Sequence, residues 1–118
     1  MILQIETKRV APDIAIVQFT GKITLGRESQ RIEVVVEELL QSGNRKFIFD
    51  LAGVDYIDSA GLGMITLCSG KVTQAGGIFR VAGATGLAAK LFKITRLDTV
   101  IPFYATVEAA SEGLEAAS

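Results

Sequence analysis

A serine hydroxyl stands within the six residues Asp58-Ser59-Ala60-Gly61-Leu62-Gly63, at the start of a predicted helix. The residues before it form a strand-like pattern from Lys46 to Ile57, with a turn expected at Ala52-Gly53. Apolar residues recur at helical spacing just after Ser59. The hydroxyl is therefore expected beside helix N–H groups that lack intrahelical partners and favour anions. Such a position suits a serine that accepts a phosphate group.

The two polar residues of this motif also have a purely structural interpretation, in which Asp58 and Ser59 cap the helix and nothing modifies them. Asp55 and Asp58 are three residues apart across a turn and could together meet a cation. A helix cap at Asp58 is the favoured interpretation of that pair.

The two glycines and the leucine of the motif are expected to serve packing or contact with a partner. Gly61 and Gly63 are expected to let the first helical turn pack closely under a neighbouring loop. Leu62 is either a core residue of that turn or an exposed apolar anchor for a partner protein. The sequence leaves both interpretations of Leu62 open.

Several enzyme classes are excluded by missing residues. The chain has no histidine, so a Ser-His or Cys-His couple cannot form. The nucleophile-elbow pattern G-x-S-x-G fails because Ile57 occupies its first glycine position. A P-loop fails around Gly70-Lys71 because Ile65 replaces the first glycine and Val72 follows the lysine. No cluster of metal ligands is evident, and we expect a protein that is not an enzyme and needs no cofactor or metal.

Composition indicates one small domain over residues 1–118. Apolar residues make up 49% of the chain, yet no run approaches the roughly 18 residues that span a bilayer. Twelve Lys and Arg against thirteen Asp and Glu give a net charge of −1, which disfavours binding to nucleic acid or anionic membranes. The N-terminus lacks a signal-peptide pattern, and Cys68 is the single cysteine. A cytoplasmic location is expected.

Periodicity and turn residues predict the element order β-β-α-β-α-β-α-β-α. In the N-terminal half we predict a hairpin turn at Ala11-Pro12-Asp13, a loop at Gly21-Lys22-Ile23-Thr24, and a helix from Arg27 to the stop at Gly43-Asn44. The strand and helix around Ser59 follow, and that helix ends at Gly76-Gly77. The C-terminal part is predicted to contain a strand at Ile78-Ala82, a turn at Gly83-Gly86 into a short helix, a strand at Val100-Ile101, and a helix from Val107 to about Leu114 capped by Thr106. This order predicts an α/β fold with a mostly parallel sheet, an antiparallel N-terminal edge hairpin and about four helices. Ser59 and the loop at Gly21 to Thr24 would lie at the carboxyl ends of strands, where such sheets bind ligands.

The same features resemble the STAS domain, and within it the bacterial anti-sigma factor antagonists. The resemblance covers nearly the whole chain and is carried by the starting hairpin, the Gly21-Lys22-Ile23 turn, the strand Phe47-Leu51, the Tyr56-Ser59 lead-in with its glycines, and the strand Gly77-Val81. It implies a small switch protein of the bacterial cytoplasm that regulates transcription. Its partners would be an anti-sigma factor that is also a serine kinase, and a serine phosphatase that resets the switch.

On this resemblance Ser59 is the phosphoacceptor, and its unmodified form would bind the anti-sigma factor and release a sigma factor. The residues expected to contact the partner are Asp58, Ser59, Gly61, Leu62, Gly63, Lys22 and Thr24. Phosphorylated antagonists commonly carry an aspartate after the glycine turn, where this chain has Thr24. That departure slightly favours an alternative, a scaffold subunit of a stress-sensing or lipid-transport complex that is not phosphorylated. Binding of a small nucleotide near Thr24 and Ser59 is a third hypothesis, by analogy of fold alone.

Overall fold

The computed structural model describes residues 3–24 and 26–114, which contain a five-stranded sheet. The strands are β1 (Gln4–Val10), β2 (Ile14–Ile23), β3 (Lys46–Ile57), β4 (Ile78–Ala82) and β5 (Phe103–Tyr104). They lie in the order β1-β2-β3-β4-β5, with β1 antiparallel to β2 and every later pair parallel. The predicted parallel sheet with an antiparallel N-terminal edge hairpin is confirmed.

Four α-helices lie in the described part of the chain. They are α1 (Arg27–Gln41), α2 (Ser59–Gln74), α3 (Gly86–Ile94) and α4 (Val107–Ser111), and a short 3-10 helix spans Leu97–Thr99. Residues of α1, α2 and α3 share the main core on one face of the sheet, whereas Ala110 of α4 belongs to a second, smaller core cluster. The predicted element order is therefore confirmed. None of the described helices is long and apolar enough to cross a bilayer.

Three phenylalanine rings from neighbouring strands form the centre of the main core. Phe49 of β3 contacts Phe19 of β2 with ring centroids 4.8 Å apart and Phe79 of β4 with centroids 4.7 Å apart, both edge to face. Edge-to-face pairs stabilise by about 0.5–1.5 kcal/mol beyond the area that they bury. These contacts hold β4 against β3 and β3 against β2, and the ends of β2 and β3 carry the site described below.

The turn predicted at Ala52-Gly53 is wrong, because β3 runs through both residues without a break. Gly53 lies instead at an irregularity in the pairing with β2. Gln18 pairs with Asp50 and Thr20 pairs with Gly53, so the register shifts by one residue between these two pairs. A Cβ atom on Gly53 would lie 2.9 Å from the carbonyl oxygen of Phe19. The glycine lets two strand backbones approach closely where one strand has an extra residue.

The loop predicted at Gly21-Lys22-Ile23-Thr24 is wrong in its first three residues, which belong to β2. Gly21 has a φ of 112°, a conformation that glycine tolerates, next to a second register shift between Gly21 and Lys22. A glycine that indicated a turn in the sequence thus bends a continuous strand.

The C-terminal elements differ from prediction in their positions. The strand predicted at Val100-Ile101 is wrong, since β5 follows Pro102, and Val100 is 74% exposed in a turn after the 3-10 helix. The N–H groups of Val100 and Ile101 both donate to the carbonyl of Leu97, at 3.0 and 2.8 Å. Thr106 caps α4 as predicted, because its Oγ1 accepts from the Ala109 N–H at 3.1 Å. The helix ends at Ser111, before the expected Leu114.

Cys68 lies in the buried face of α2, together with Ile65 and Val72. The pKa of its thiol is raised from 9.0 to about 12, mainly by burial and in smaller part by the nearby Glu33 carboxylate, while Lys71 acts to lower it. Lys71 joins α2 to α1 through Glu37 at 2.8 Å and Glu33 at 3.2 Å. The thiol therefore stays protonated and unreactive in the folded protein at neutral pH.

The raised pKa of this thiol predicts that the folded protein loses stability at alkaline pH. Its folded pKa lies above its unfolded pKa, so its contribution is complete below pH 9.0 and is lost as the pH rises towards about 12. We expect the free energy of unfolding, measured by urea titration at a series of pH values, to fall less steeply above pH 9.0 in Cys68→Ala than in the wild type. Parallel curves for the two proteins would contradict the predicted coupling.

Candidate functional site

The paired ends of β2 and β3 fix the position of Ser59. Ile23 and Ile57 are register partners in these parallel strands. The N–H of Asp58 donates to the carbonyl of Ile23 at 3.2 Å, which ties the chain to β2 immediately before α2 begins. Ser59 is the first residue of α2 and is exposed. The predicted arrangement, an accessible hydroxyl where a strand becomes a helix, is confirmed.

Asp58 is the N-cap of α2. Its backbone is extended, with φ −101° and ψ −178°, and its Oδ1 accepts from the Gly61 N–H at 2.8 Å. A side-chain cap of this kind stabilises a helix by about 1 kcal/mol. The cap interpretation of Asp58 is confirmed. Among the described residues, no cluster of three or more histidine, cysteine or acidic side chains could hold a metal ion.

Gly61 and Gly63 play different roles. A Cβ atom on Gly61 would overlap the carbonyl oxygen of Ile23 and would lie 2.8 Å from Cγ1 of Ile57. The predicted close packing is confirmed for Gly61, although its neighbour is the end of β2 and not a loop. The same prediction is wrong for Gly63, which is exposed and has no atom within 4 Å of an added Cβ.

Leu62 is a core residue. Its side chain is 6% exposed and belongs to the main hydrophobic cluster, and its N–H donates to the carbonyl of Asp58 at 3.0 Å. The core interpretation is confirmed, so this side chain cannot serve as the exposed apolar anchor. Its packing in the core holds the first turn of α2 in place.

The remaining predicted contact residues, Lys22 and Thr24, lie at the end of β2. Lys22 is exposed and pairs in register with Tyr56, two residues before the cap Asp58. Thr24 is half-buried and directly follows the end of β2. The fold thus places Lys22 near the end of the strand next to the motif and Thr24 directly after that strand. Their role as contacts for a partner stays a prediction.

Tyr56 is a feature of this surface that the sequence did not predict. Its side chain is 41% exposed and lies beside Lys22, its register partner on β2. The register shift between Gly21 and Lys22 breaks the simple alternation that would have revealed its orientation. An exposed aromatic ring next to an exposed lysine gives this surface both an apolar and a cationic group for recognition.

The backbone and the cap contribute opposite charges at the helix start around Ser59. The first turn of α2 contains no acidic side chain, so the partial positive charge of the helix N-terminus is opposed mainly by the Asp58 carboxylate. A phosphate on Ser59 would be attracted by the helix terminus and repelled by Asp58. Because these two effects oppose each other, the phosphate would add a large surface charge and change the free energy of unfolding only slightly.

The sequence was compared with protein families and with curated proteins. The family model described as the STAS domain matches residues 6–110. A Thermotoga neapolitana protein provisionally named an anti-sigma factor antagonist is 25% identical over 107 residues, which are 91% of this chain and 95% of that protein.

Two solved proteins have similar folds. A protein of Thermotoga maritima, provisionally titled an anti-sigma factor antagonist, has a TM-score of 0.85 at 23% identity, covering 94% of each chain. The anti-sigma factor antagonist SpoIIAA in its unphosphorylated form has a TM-score of 0.82 at 14% identity, covering 98% of this chain and 99% of that one. The phosphorylated form of SpoIIAA from Bacillus has a TM-score of 0.72 at 16% identity, covering 91% and 96%. These likenesses show the shared fold.

Proposed function

The chain belongs to the STAS domain family, and we propose that it is an anti-sigma factor antagonist controlled by phosphorylation of Ser59. The unmodified protein binds a kinase-type anti-sigma factor of the bacterial cytoplasm and releases a sigma factor for transcription. Phosphorylation of Ser59 abolishes the binding, and a serine phosphatase restores it. The single observation that carries this proposal is the exposed hydroxyl on the first residue of α2.

The surroundings of Ser59 are sufficient for a phosphate acceptor. In phosphoryl transfer the kinase supplies the metal ions and the positioning groups, and the acceptor supplies a hydroxyl that can reach the γ-phosphate. The cap at Asp58 and the close packing of Gly61 hold that hydroxyl on a rigid helix start. Similarity to SpoIIAA, which has been solved in a phosphorylated and an unphosphorylated form, supports the assignment.

Phosphorylation can switch binding without unfolding the protein. It adds roughly −1.5 to −2 charges and three acceptor oxygens to an exposed position. At a helix N-terminus an exposed negative charge is stabilised by about 0.3–1 kcal/mol, and the neighbouring Asp58 carboxylate opposes that gain. Within an interface, by contrast, like charges and lost hydration cost several kcal/mol. Phosphorylation therefore shifts the partner-binding equilibrium much more than the folding equilibrium.

We expect incubation with the cognate kinase-type anti-sigma factor, Mg²⁺ and ATP to add one phosphate, detected by intact-protein mass spectrometry. Ser59→Ala should gain none, because alanine removes the acceptor oxygen. Ser42→Ala is the matched control, since Ser42 is an exposed serine at the end of α1, away from the motif. It should be phosphorylated like the wild type.

An undiminished mass gain in Ser59→Ala, or none in the wild type, would contradict the proposal. A second function would then be favoured by Thr24, which replaces the aspartate common in phosphorylated antagonists. This is a scaffold subunit, and it would be shown by a partner complex that is insensitive both to ATP and to substitution of Ser59.

A further inference from the structure

Strand β1 is an outer strand of the sheet, and within the described residues it pairs with β2 alone. An open strand edge presents N–H and C=O groups that can pair with another chain. Natural edge strands are commonly protected by bulges, proline or charged side chains, and of these β1 has only charges: it pairs with β2 over seven consecutive residues without a register shift and contains no proline. The edge is therefore regular enough to take another strand.

Arg9 of β1 lies on the α1 face of the sheet, and the other two charges of the strand are placed symmetrically about Thr7. Glu6 and Lys8 flank it, both are exposed, and their alternation places them on the same face of the sheet. Across the hairpin they lie opposite Gln18 and Ile16, which carry no charge. Within the described part of the chain, neither side chain belongs to an ion pair.

A second copy of β1 matches this pattern when it is antiparallel with Thr7 opposite Thr7. Glu6 then lies opposite Lys8 of the second copy, and Lys8 opposite its Glu6. Opposite charges in directly facing positions stabilise strand pairs, and like charges destabilise them. If the twofold axis passed instead through Glu6 or Lys8, that residue would lie opposite its own copy. Like charges would then face each other. The strand thus prefers one register with itself.

Helix α1 borders the same edge. It connects the end of β2 with the start of β3, so it runs antiparallel to β2 and in the direction of β1. At one end Nη1 of Arg31 donates to the carbonyl of Leu3 at 3.0 Å. Further along, Val35 of α1 and Thr7 of β1 line one groove together. The centre of the charge pattern on β1 therefore lies beside the middle of α1.

The exposed flank of α1 is self-complementary about that centre. Arg31 and Glu38 lie at equal distances in sequence on either side of Val34 and Val35, and both line or border the groove with β1. Val34 is 54% exposed, on a helix whose core side is buried. In an antiparallel pair of α1 helices, Arg31 would face Glu38 of the second copy, and the valines would meet between them.

We propose that the edge formed by β1 and the Arg31 to Glu38 flank of α1 is a homodimer interface. Two copies pair antiparallel through β1 with a twofold axis at Thr7, which joins their sheets into one. The interface is isologous, because one surface meets itself. None of its residues belongs to the Asp58 to Gly63 motif, so this proposal stands or falls independently of phosphorylation.

The test is sedimentation equilibrium of the full chain at low ionic strength. The wild type should dimerise, and Glu6→Lys and Lys8→Glu should each weaken the dimer by roughly tenfold or more, because each replaces two attractive pairs by two repulsive ones. An equimolar mixture of the two variants should dimerise again. Positions 6 and 8 are both cationic in one variant and both anionic in the other, so both facing charge pairs in the mixed dimer are attractive.

Matched substitutions outside the edge serve as controls. Glu108→Lys on α4 and Lys90→Glu on α3 change the net charge equally at exposed positions and should leave the dimer unchanged. Val34→Asp should weaken it by roughly tenfold or more, because two carboxylates would approach each other near the axis, whereas Val100→Asp should not. Thermal melting followed by circular dichroism verifies that each variant is folded.

A wild type that stays monomeric up to roughly 1 mM would overturn the proposal. So would a dimer with the same dissociation constant in Glu6→Lys and Lys8→Glu as in the wild type, since its interface would lie elsewhere. Failure of the two variants to associate with each other would exclude the register centred on Thr7.

Discussion

Gly61→Ala should destabilise the folded protein by about 3 kcal/mol or more, the largest effect that we expect from adding a single methyl group. The new Cβ would overlap the carbonyl oxygen of Ile23, which is backbone and already accepts the Asp58 N–H. It would also lie 2.8 Å from Cγ1 of Ile57 in the core. Relief requires α2 to move away from the ends of both strands. The measurement is urea unfolding followed by circular dichroism.

Gly63→Ala is the matched control, two residues further along the same helix. No atom lies within 4 Å of a Cβ at this position, and alanine is a better helix former than glycine by up to about 1 kcal/mol. This variant should therefore be as stable as the wild type or more so. Similar losses of stability in both variants would show that flexibility, and not the contact with Ile23, requires glycine at Gly61.

These two glycines show where sequence reasoning reaches its limit at this site. Both lie in the first turns of a predicted helix, and the sequence assigned close packing to both. Only the position of the β2 end separates them, and that position depends on pairing between Ile23 and Ile57, residues 34 apart in the chain. Local pattern predicted the helix and its Asp58 cap, but it could not show which face of the first turn meets a neighbouring backbone.

The strand boundaries illustrate the same limit. Periodicity correctly predicted the order of elements and the antiparallel hairpin, because both depend on local apolar patterns and turn residues. Gly21 and Gly53, by contrast, indicated turns and in fact allow irregular pairing within long strands. Glycine marks close approach as well as turns, and the sequence alone does not distinguish these uses.

The surface around Ser59 was predicted in part. The exposed hydroxyl and the cap followed from the residues of the motif, whereas the proximity of Lys22 to Tyr56 follows from a strand register that contains two shifts. Each one-residue shift reverses which side chains face outward. The exposure of Tyr56 therefore became apparent only when both strands were placed.

Ser59→Asp should weaken binding to the kinase-type anti-sigma factor by about a hundredfold or more. Several kcal/mol of repulsion and lost hydration within an interface correspond to at least that factor, since every 1.4 kcal/mol is tenfold in affinity. The melting transition should remain cooperative, because Ser59 is exposed and its helix N-terminus tolerates negative charge. Isothermal titration of the unmodified partner with each variant gives the dissociation constants.

Ser59→Asn separates charge from shape in this experiment, because asparagine and aspartate have nearly the same size and both can accept a hydrogen bond. If charge operates the switch, Ser59→Asn binds within a few fold of the wild type and Ser59→Asp does not. Equal losses in both variants would mean that the partner fits closely around the small serine side chain and that bulk alone disrupts it. Wild-type affinity in both would remove Ser59 from the interface, even if a kinase still modified it. The charge mechanism thus requires Ser59→Asp and Ser59→Asn, whose new side chains are nearly equal in size, to differ in their affinity for the partner.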